Sequence, residues 1–324
     1  MVSAVRVHQL GGPEVLKYEE IDLPEPGPGQ VRYRTTAVGV NYIDTYFRSG
    51  LYPAPSLPFT AGNESAGVIT AVGKGVKGLK KGDRVAAVFL LGAYATERLL
   101  PADRVVKIPA KIDDKTAAAM MLKGMTAQYL LRRCFKVKKG DTILVHAAAG
   151  GVGLLLCQWG RHLGATVIGT VGSKEKAALA KKNGAHHTIL YRDEDWVKRV
   201  GEITKGKKCD VVYDGVGKTT FMGSLDCLRP LGLMVSYGSA SGAVEPFNLS
   251  ILTQKGSLFV TRPTMNTYTA SAKDLQATAK DLFNVVLKKK VKIKVNQTYA
   301  LKDAAQAHRD LESRKTTGQT VLLP

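Results

Sequence analysis

Residues 142–176 read TILVHAAAGGVGLLLCQWGRHLGATVIGTVGSKEK. An apolar run, Thr142–His146, feeds the turn Ala149-Gly150-Gly151-Val152-Gly153. A helical pattern follows, then a second apolar run, Thr166–Val171, ending in Gly172-Ser173-Lys174. Strand, glycine turn, helix, strand is how a parallel sheet holds a dinucleotide. An NAD site usually carries Asp or Glu after the second strand, about 20 residues past the turn, for the ribose 2′-hydroxyl. Here Gly172, Ser173, Lys174 and, just beyond Glu175, Lys176 occupy that stretch. Small polar groups and ammoniums suit a 2′-phosphate, so the expected cofactor is NADPH.

The glycines need physical reasons. Gly150 or Gly151 is expected at positive φ in a tight turn. Lacking side chains, they let backbone N–H groups approach a pyrophosphate at the positive end of the helix. Gly153 is expected to let the helix lie close to the sheet. The pattern is Ala147-x-x-Gly150-x-x-Gly153, with Ala in place of the first Gly of the common fingerprint. Alone such a turn also serves packing; the flanking strands, helix and basic second-strand end favour the dinucleotide.

A length of 324 residues suggests two domains, each with its own core. Hydrophobic content of 44% and charged content of 23% are ordinary for a globular protein. No apolar run approaches the ~20 residues that span a bilayer. The first residues, MVSAVRVHQLGG, lack a signal-peptide core and the last, VLLP, lack a lipidation signal. A cytoplasmic protein with no membrane partner is expected. The four cysteines are far apart with no C-x-x-C pair, which argues against a zinc ribbon or disulfide framework. In their apolar settings Cys134, Cys157 and Cys227 read as small hydrophobes. The net charge of +20 meets one criterion for nucleic-acid binding. It equally describes a solvated surface that attracts a polyanionic cofactor. No nucleic-acid-binding signature accompanies it, so nucleic acid is not expected as the main partner. The histidines form no metal-spaced pair; His146, ending a strand, reads as a satisfied buried residue.

The first part of the chain is β-rich, with strand patterns at 2–8, 14–20, 30–40, 68–72 and 83–89, spaced like a small barrel. Residues 114–131 read as a bridging helix. From Asp141 strands (142–146, 166–171, 187–190, 210–213, 231–236, 257–261) alternate with helices (151–163, 174–183, 193–204, 218–228), the rhythm of a doubly wound α/β sheet. A long helix at 271–289 and elements at 293–299, 303–313 and 319–323 finish the chain and are expected to return to the first domain.

Several stretches together resemble one family. They include GGPEVL (11–16), VGVNYIDTYFRSGLYP (38–53), GVKGLKKGDRV (75–85), LGAY (91–94), LKGMTAQYLL (122–131), HAAAGGVGLLLCQW (146–159), VVYDGVG (211–217), SLDCLRPLGLMVSYG (224–238), QKGSLFVTRP (254–263) and LKDAAQAH (301–308). Over essentially the whole chain they are similar to the zinc-independent NADPH:quinone oxidoreductases of the medium-chain dehydrogenase/reductase superfamily, the group related to zeta-crystallin. The resemblance implies a GroES-like β-barrel catalytic domain (1–123 and 267–324), an inserted Rossmann NADPH-binding domain (124–266) and a homodimer.

In that superfamily the zinc alcohol dehydrogenases have Cys, His and Cys where this chain has Asn41, Asn63 and Lys123. Two amides and an ammonium are poor zinc ligands, so no metal is expected. A hydride acceptor that needs no Lewis acid follows: a quinone or, alternatively, a conjugated enone or alkenal. A third reading is an RNA-binding or structural protein of the zeta-crystallin type. By resemblance, Asn41, Tyr46 and Tyr52 are the catalytic candidates, with Arg48 and Tyr52 at a substrate mouth. Asn41, Tyr42, Tyr46 and Lys123 are expected near the nicotinamide end of the cofactor. Gly151 and Val152 are expected at the pyrophosphate, and Gly172, Ser173, Lys176 and Tyr191 at the 2′-phosphate edge. Gly217, Ser239, Ser241, Gly242, Pro263, Thr264 and Arg314 complete the expected cofactor contacts. Tyr42 and Tyr46, four apart, also read as packing residues.

Overall fold

Thr142–Val145, Thr166–Val171 and Cys209–Asp214 are almost unbroken apolar runs, as expected of parallel strands covered on both faces. The computed structural model, which describes residues 1–324, places them at the centre of a six-stranded sheet. Every pairing in that sheet is parallel. Its order is His187–Leu190, Thr166–Val171, Thr142–Val145, Cys209–Asp214, Leu228–Ser236, Phe259–Thr261. Numbered along the chain this is 3-2-1-4-5-6, the doubly wound dinucleotide-binding order, whose switch point lies between Thr142–Val145 and Cys209–Asp214. Ligands of such sheets collect beyond the strand ends at that point, where Ala147–Gly153 and Gly215–Gly217 lie. One face of the core joins Leu144, Ile168, Ile189, Val212 and Met234 to Val200, Phe221 and Leu225 of the covering helices.

The glycine turn corrects one expectation. Gly150 sits at φ −79°, an ordinary extended value, and the left-handed residue of the turn is Ala147, at φ 50°. The chain reverses three residues early, closed by Gly150 N–H donating to Ala147 O at 2.8 Å. What Gly150 and Gly153 supply is room. A Cβ on Gly153 would lie 2.3 Å from Ala147 O and 2.8 Å from Ala148 Cα, so any side chain would push helix Gly151–His162 off its strand.

The remaining chain forms two sheets. One has Val2–Val7 at its centre, paired antiparallel with Leu16–Ile21 on one side and Phe59–Thr60 on the other. The other has seven strands: Val295–Ala300, Gln319–Leu323, Gln30–Val40, Glu64–Val72, Arg84–Val88 and Val105–Lys107 in order, with Glu97–Pro101 also on Gln30–Val40. Antiparallel pairing of Gln319–Leu323 with Gln30–Val40 brings the C-terminal segment into this unit. Glu64–Val72 begins four residues before its apolar pattern, because Glu-Ser-Ala-Gly is a poor strand former held by pairing with Arg84–Val88. Helix Tyr42–Ser49 was not expected as a separate element, although Asn41-x-x-Asp44 starts it and Gly50, at φ 82°, ends it.

By compactness the chain divides into one unit of Met1–Met125, Thr269–Leu287 and Ile293–Pro324 and a second of Thr126–Tyr268 and Lys288–Lys292. The division falls inside helix Asp114–Tyr129, and the short lysine-rich piece Lys288–Lys292 belongs to the second unit. No helix is long and apolar enough to cross a membrane.

Two glycines give opposite expected outcomes. Gly153→Ala should lower stability by about 1–3 kcal/mol through overpacking. Gly201→Ala lies within helix Trp196–Ile203, where a Cβ meets nothing within 4 Å. It should raise stability by about 0.5–1 kcal/mol. Denaturant midpoints of the two variants check the pair.

Candidate active site

In the Rossmann unit the expected cofactor residues lie on the loops that follow the strands. Gly151 and Val152 open helix Gly151–His162 and are half-buried. Gly172 follows Thr166–Val171, and a Cβ there would lie 2.9 Å from the Tyr191 hydroxyl, so the two form one small cradle. Ser173 caps helix Lys174–Lys182, its Oγ accepting from the Lys176 N–H at 3.3 Å. Lys176 is half-buried and Lys174 exposed. Gly217 stands at φ 91° and fits closely against the Gly242 carbonyl. Ser241 Oγ donates to Val216 O at 2.8 Å and accepts from Thr219 N–H at 3.1 Å. Ser239 Oγ accepts from Arg262 at 3.2 Å, and Pro263 and Thr264 lead from there into helix Met265–Tyr268.

A buried residue absent from the expected set holds these loops. Asp214 Oδ1 accepts from the N–H groups of Val216 (2.7 Å) and Gly217 (3.1 Å), and Oδ2 from Thr220 Oγ1 (2.7 Å). Its signal was the polar end of the apolar run VVYD. Beside it His146 is buried and bonded to Thr170 Oγ1 (2.9 Å) and Ser224 Oγ (3.0 Å), the satisfied role expected of it. Burial lowers its pKa, which keeps the ring neutral.

In the GroES-like unit Asn41, Asn63 and Lys123 come together around two buried carboxylates. Asn41 Nδ2 donates to Glu64 Oε2 at 2.8 Å, and Asn63 Nδ2 donates to Asp44 Oδ1 at 2.8 Å. Lys123 Nζ donates to Val40 O at 2.8 Å and lies 3.9 Å from Glu64 Oε2. Glu64 Oε1 accepts from Leu122 N–H, and Asp44 Oδ2 accepts from Asn41 N–H, both at 2.8 Å. Burial pushes the Glu64 carboxyl up and the Lys123 ammonium down, and each charge offsets the other's shift. No group of three or more His, Cys, Asp or Glu is placed to hold a metal.

One atom in this cluster is left over. The Asp44 N–H bonds the main-chain carbonyl of Asn41 at 3.0 Å, so Asn41 Oδ1 is buried without a hydrogen bond. The amide orientation is set by its surroundings, since Nδ2 faces two acceptors, Glu64 Oε2 and Gly39 O. An unmade buried acceptor costs about 1–3 kcal/mol, which a ligand's N–H or O–H donor would relieve. Within the GroES-like unit this buried, unbonded acceptor is the feature that fits a ligand's amide donor.

Tyr42, Tyr46 and Tyr52 form an aromatic group, with ring centroids 5.6 Å apart for Tyr42–Tyr46 and 5.1 Å for Tyr46–Tyr52. Tyr46 is buried, its ring between those of Tyr42 and Tyr52. Arg48 corrects an expectation, for it does not stand at an open mouth. Its side chain is buried and bonds Glu312 (2.7 and 3.1 Å), His308 Nδ1 (3.0 Å) and Gly11 O (3.0 Å), since a guanidinium leaves water only when its donors are used. Arg314 is exposed at φ 60°, just past helix Ala304–Glu312. Glu64, Asp44, Tyr94 and His308 were missed because their role is to one another, across long sequence separations.

Their titration sets opposite signs. Burial, opposed by bonds from Asn63, Asn41 and Tyr94, holds Asp44 up at about 6, against 3.8 in a free chain. Its contribution to stability is therefore full below 3.8 and lost as pH rises through 6. Burial and then Arg48 lower His308 from 6.5 to about 3. Its contribution is full above 6.5 and lost as pH falls towards 3. His308→Gln should therefore flatten the acid-side fall of the melting temperature between about pH 6.5 and 4; an unchanged slope in calorimetry would remove His308 as a source.

With this geometry in view, comparison with known proteins is direct. The alcohol dehydrogenase GroES-like domain matches residues 27–110, and the zinc-binding dehydrogenase family matches residues 151–284, a span that contains none of Asn41, Asn63 and Lys123. A quinone oxidoreductase of Pseudomonas aeruginosa is 53% identical over 100% of both chains. A 2-haloacrylate reductase of a Burkholderia species is 48% identical, over 100% of this chain and 99% of the relative. The crystal structure of Escherichia coli quinone oxidoreductase complexed with NADPH superposes with a TM-score of 0.98 at 49% identity, covering 99% of this chain and 100% of that one. The chain belongs to the quinone oxidoreductases of the medium-chain dehydrogenase/reductase superfamily.

Proposed function

We propose that this protein is an NADPH-dependent quinone reductase that works without a metal. The observation that carries this reading is how the cluster's side chains are used. Where the zinc relatives have thiolate and imidazole, this chain has two amides and an ammonium. Both amide NH2 groups and the ammonium are already committed, to Glu64, Asp44 and the Val40 carbonyl. Such a donor set does not suit zinc, so the acceptor must delocalise its own developing oxyanion, as a quinone does.

NADPH, when bound, supplies a hydride from its nicotinamide, and a solvent proton completes the hydroquinone. In the Rossmann unit Gly151 and Val152 bind the pyrophosphate through backbone N–H groups at a helix start. Gly172, Ser173 and Lys176 bind the 2′-phosphate, and Tyr191 borders it. Gly217, Ser239, Ser241 and Gly242, braced by Asp214, bind further along the cofactor, with Pro263 and Thr264 at its carboxamide. In the GroES-like unit Asn41 offers Oδ1 to a cofactor donor, Lys123 balances the buried carboxylates beside it, and Arg314 and Tyr42 contribute from the C-terminal side and the helix start. Tyr46 or Tyr52 would pass its phenolic proton to the reduced oxygen and take the solvent proton in its place, a general-acid role.

A second reading, reduction of an activated carbon–carbon double bond, is supported by the 2-haloacrylate reductase relative. It uses the same hydride and differs in product. We also infer a homodimer. Phe259–Thr261 ends its sheet, and Phe259 (59% exposed) and Leu231 (60% exposed) are apolar surface there. Exposed apolar side chains beside a sheet edge favour covering by a second copy of the chain. Four free cysteines fit a cytoplasmic site.

Steady-state oxidation of NADPH by simple benzoquinones and naphthoquinones tests the reaction. Turnover with a strong preference over NADH is expected; no turnover with any quinone, or equal rates with NADH, would refute it. The double variant Ser173→Asp/Lys176→Ala keeps a good helix cap while opposing the phosphate. It should cost about 10²-fold in kcat/KM for NADPH relative to NADH, from two lost charge-assisted bonds. An unchanged ratio would place the 2′-phosphate contacts elsewhere.

A further inference from the structure

Three of the stretches that carry the family resemblance contain residues the proposed reaction leaves unused. Tyr94 closes LGAY, His308 closes LKDAAQAH, and Arg48 lies within VGVNYIDTYFRSGLYP. The fold brings all three to Asp44. Arg48 Nη1 lies 3.0 Å from His308 Nδ1, His308 Nε2 lies 3.0 Å from the Tyr94 hydroxyl, and that hydroxyl lies 3.0 Å from Asp44 Oδ2. All four side chains are buried. Glu312 holds the far end through its paired bonds to Arg48. The Tyr94 ring is seated tightly, for a Cβ on Gly62 would lie 2.0 Å from Tyr94 Cδ1.

The direction of every proton in this chain follows from one fact. A guanidinium only donates, so His308 Nδ1 must accept. A neutral imidazole then carries its proton on Nε2 and donates it to the Tyr94 oxygen. The Tyr94 proton has one place left to go, Asp44 Oδ2. Asp44 must be ionised to accept from Tyr94, from Asn63 Nδ2 and from the Asn41 N–H together. Protonating it would leave a buried O–H on Tyr94 or Asp44 without an acceptor. The chain is not a proton conduit, because Arg48 cannot release its proton and it occupies Nδ1.

We propose that Tyr94 and His308 are positioning residues for the nicotinamide end of NADPH: with Arg48 they impose one donor direction that keeps Asp44 an acceptor-only carboxylate on the Asn41 N–H, and so hold the Asn41 amide with its buried Oδ1 unbonded within the protein, the acceptor left for a cofactor donor. This rests on the reading of Asn41 as a cofactor-binding residue. The groups facing Asp44 are Tyr94, Asn63 and the charges of Lys123 and Glu64, with His308, Arg48 and Glu312 behind Tyr94. Burial holds the Asp44 carboxyl at about 6, so its protonation falls in an accessible range.

The test is the NADPH dissociation constant, read by cofactor fluorescence from pH 5 to 9 without quinone. The native protein should bind more weakly below about pH 6, where Asp44 takes up its proton. Tyr94→Phe removes the donor that stabilises the carboxylate, and should move that acid limb upward by about one pH unit. His308→Leu breaks the same chain one step earlier and should move the limb likewise; it reads the same quantity if Tyr94→Phe does not fold. His308→Gln has an amide that can accept from Arg48 and donate to Tyr94, and should leave the limb in place. Superimposable profiles for the native protein, Tyr94→Phe and His308→Leu, all folded by circular dichroism, would overturn the inference while leaving NADPH binding intact. A native protein that binds no NADPH at any pH would instead overturn the cofactor reading beneath it.

Discussion

Two carboxylates, Asp44 and Glu64, are buried in the GroES-like unit, and much of its local structure exists to satisfy them. Removing an ion from water costs several kcal/mol even after relaxation, so each oxygen needs donors and the pair needs a counter-charge. Asn63, Tyr94 and the Asn41 N–H serve Asp44; Asn41 Nδ2 and the Leu122 N–H serve Glu64; Lys123 supplies the charge. These donors come from Asn41 at the end of strand Gln30–Val40, from helix Asp114–Tyr129 and from the loops that hold Asn63 and Tyr94. The cost of leaving any oxygen unpaired ties those elements into one arrangement. Asn41 Oδ1 is the exception, a buried acceptor without a bond in a cluster where the carboxylate oxygens are all paired.

The Rossmann unit uses the same device more simply. Asp214 is a single buried carboxylate whose oxygens gather Val216, Gly217 and Thr220, and neutral His146 lies next to its Ser224 neighbour. The result is a rigid edge beyond the central strands, where the glycine turn also lies. Backbone N–H groups there are aimed by packing, and small residues leave room for a ligand's oxygens. In both units a buried charge fixes loop geometry that apolar packing alone would leave loose.

Much of this could be read along the chain. The glycine turn, the basic second-strand end and the parallel strands are local patterns, and the doubly wound order follows from their alternation. Gly153 is needed for helix-to-strand contact, as its place in the turn implied. Other features were not legible. The left-handed residue proved to be Ala147, because the turn closes on the Gly150 N–H before either glycine needs positive φ. Arg48 was expected at a substrate mouth, yet it is buried against Glu312 and His308, which lie some 260 residues away. The early start of Glu64–Val72 comes from pairing, since Glu-Ser-Ala-Gly has no strand propensity of its own.

By itself the sequence determined the class of fold, the dinucleotide turn, the small and basic second-strand end and the replacement of zinc-type ligands by Asn41, Asn63 and Lys123. The first three are properties of residue type at short spacing, which backbone geometry and side-chain chemistry convert directly into structure; the last is what the resemblance to the family implied. Only the tertiary structure decided that those three side chains surround Asp44 and Glu64, that Arg48 is buried, and that Arg48, His308, Tyr94 and Asp44 share one proton order. Those outcomes depend on which distant donors reach a buried acceptor, and the pairing of charges taken out of water is settled by the whole fold.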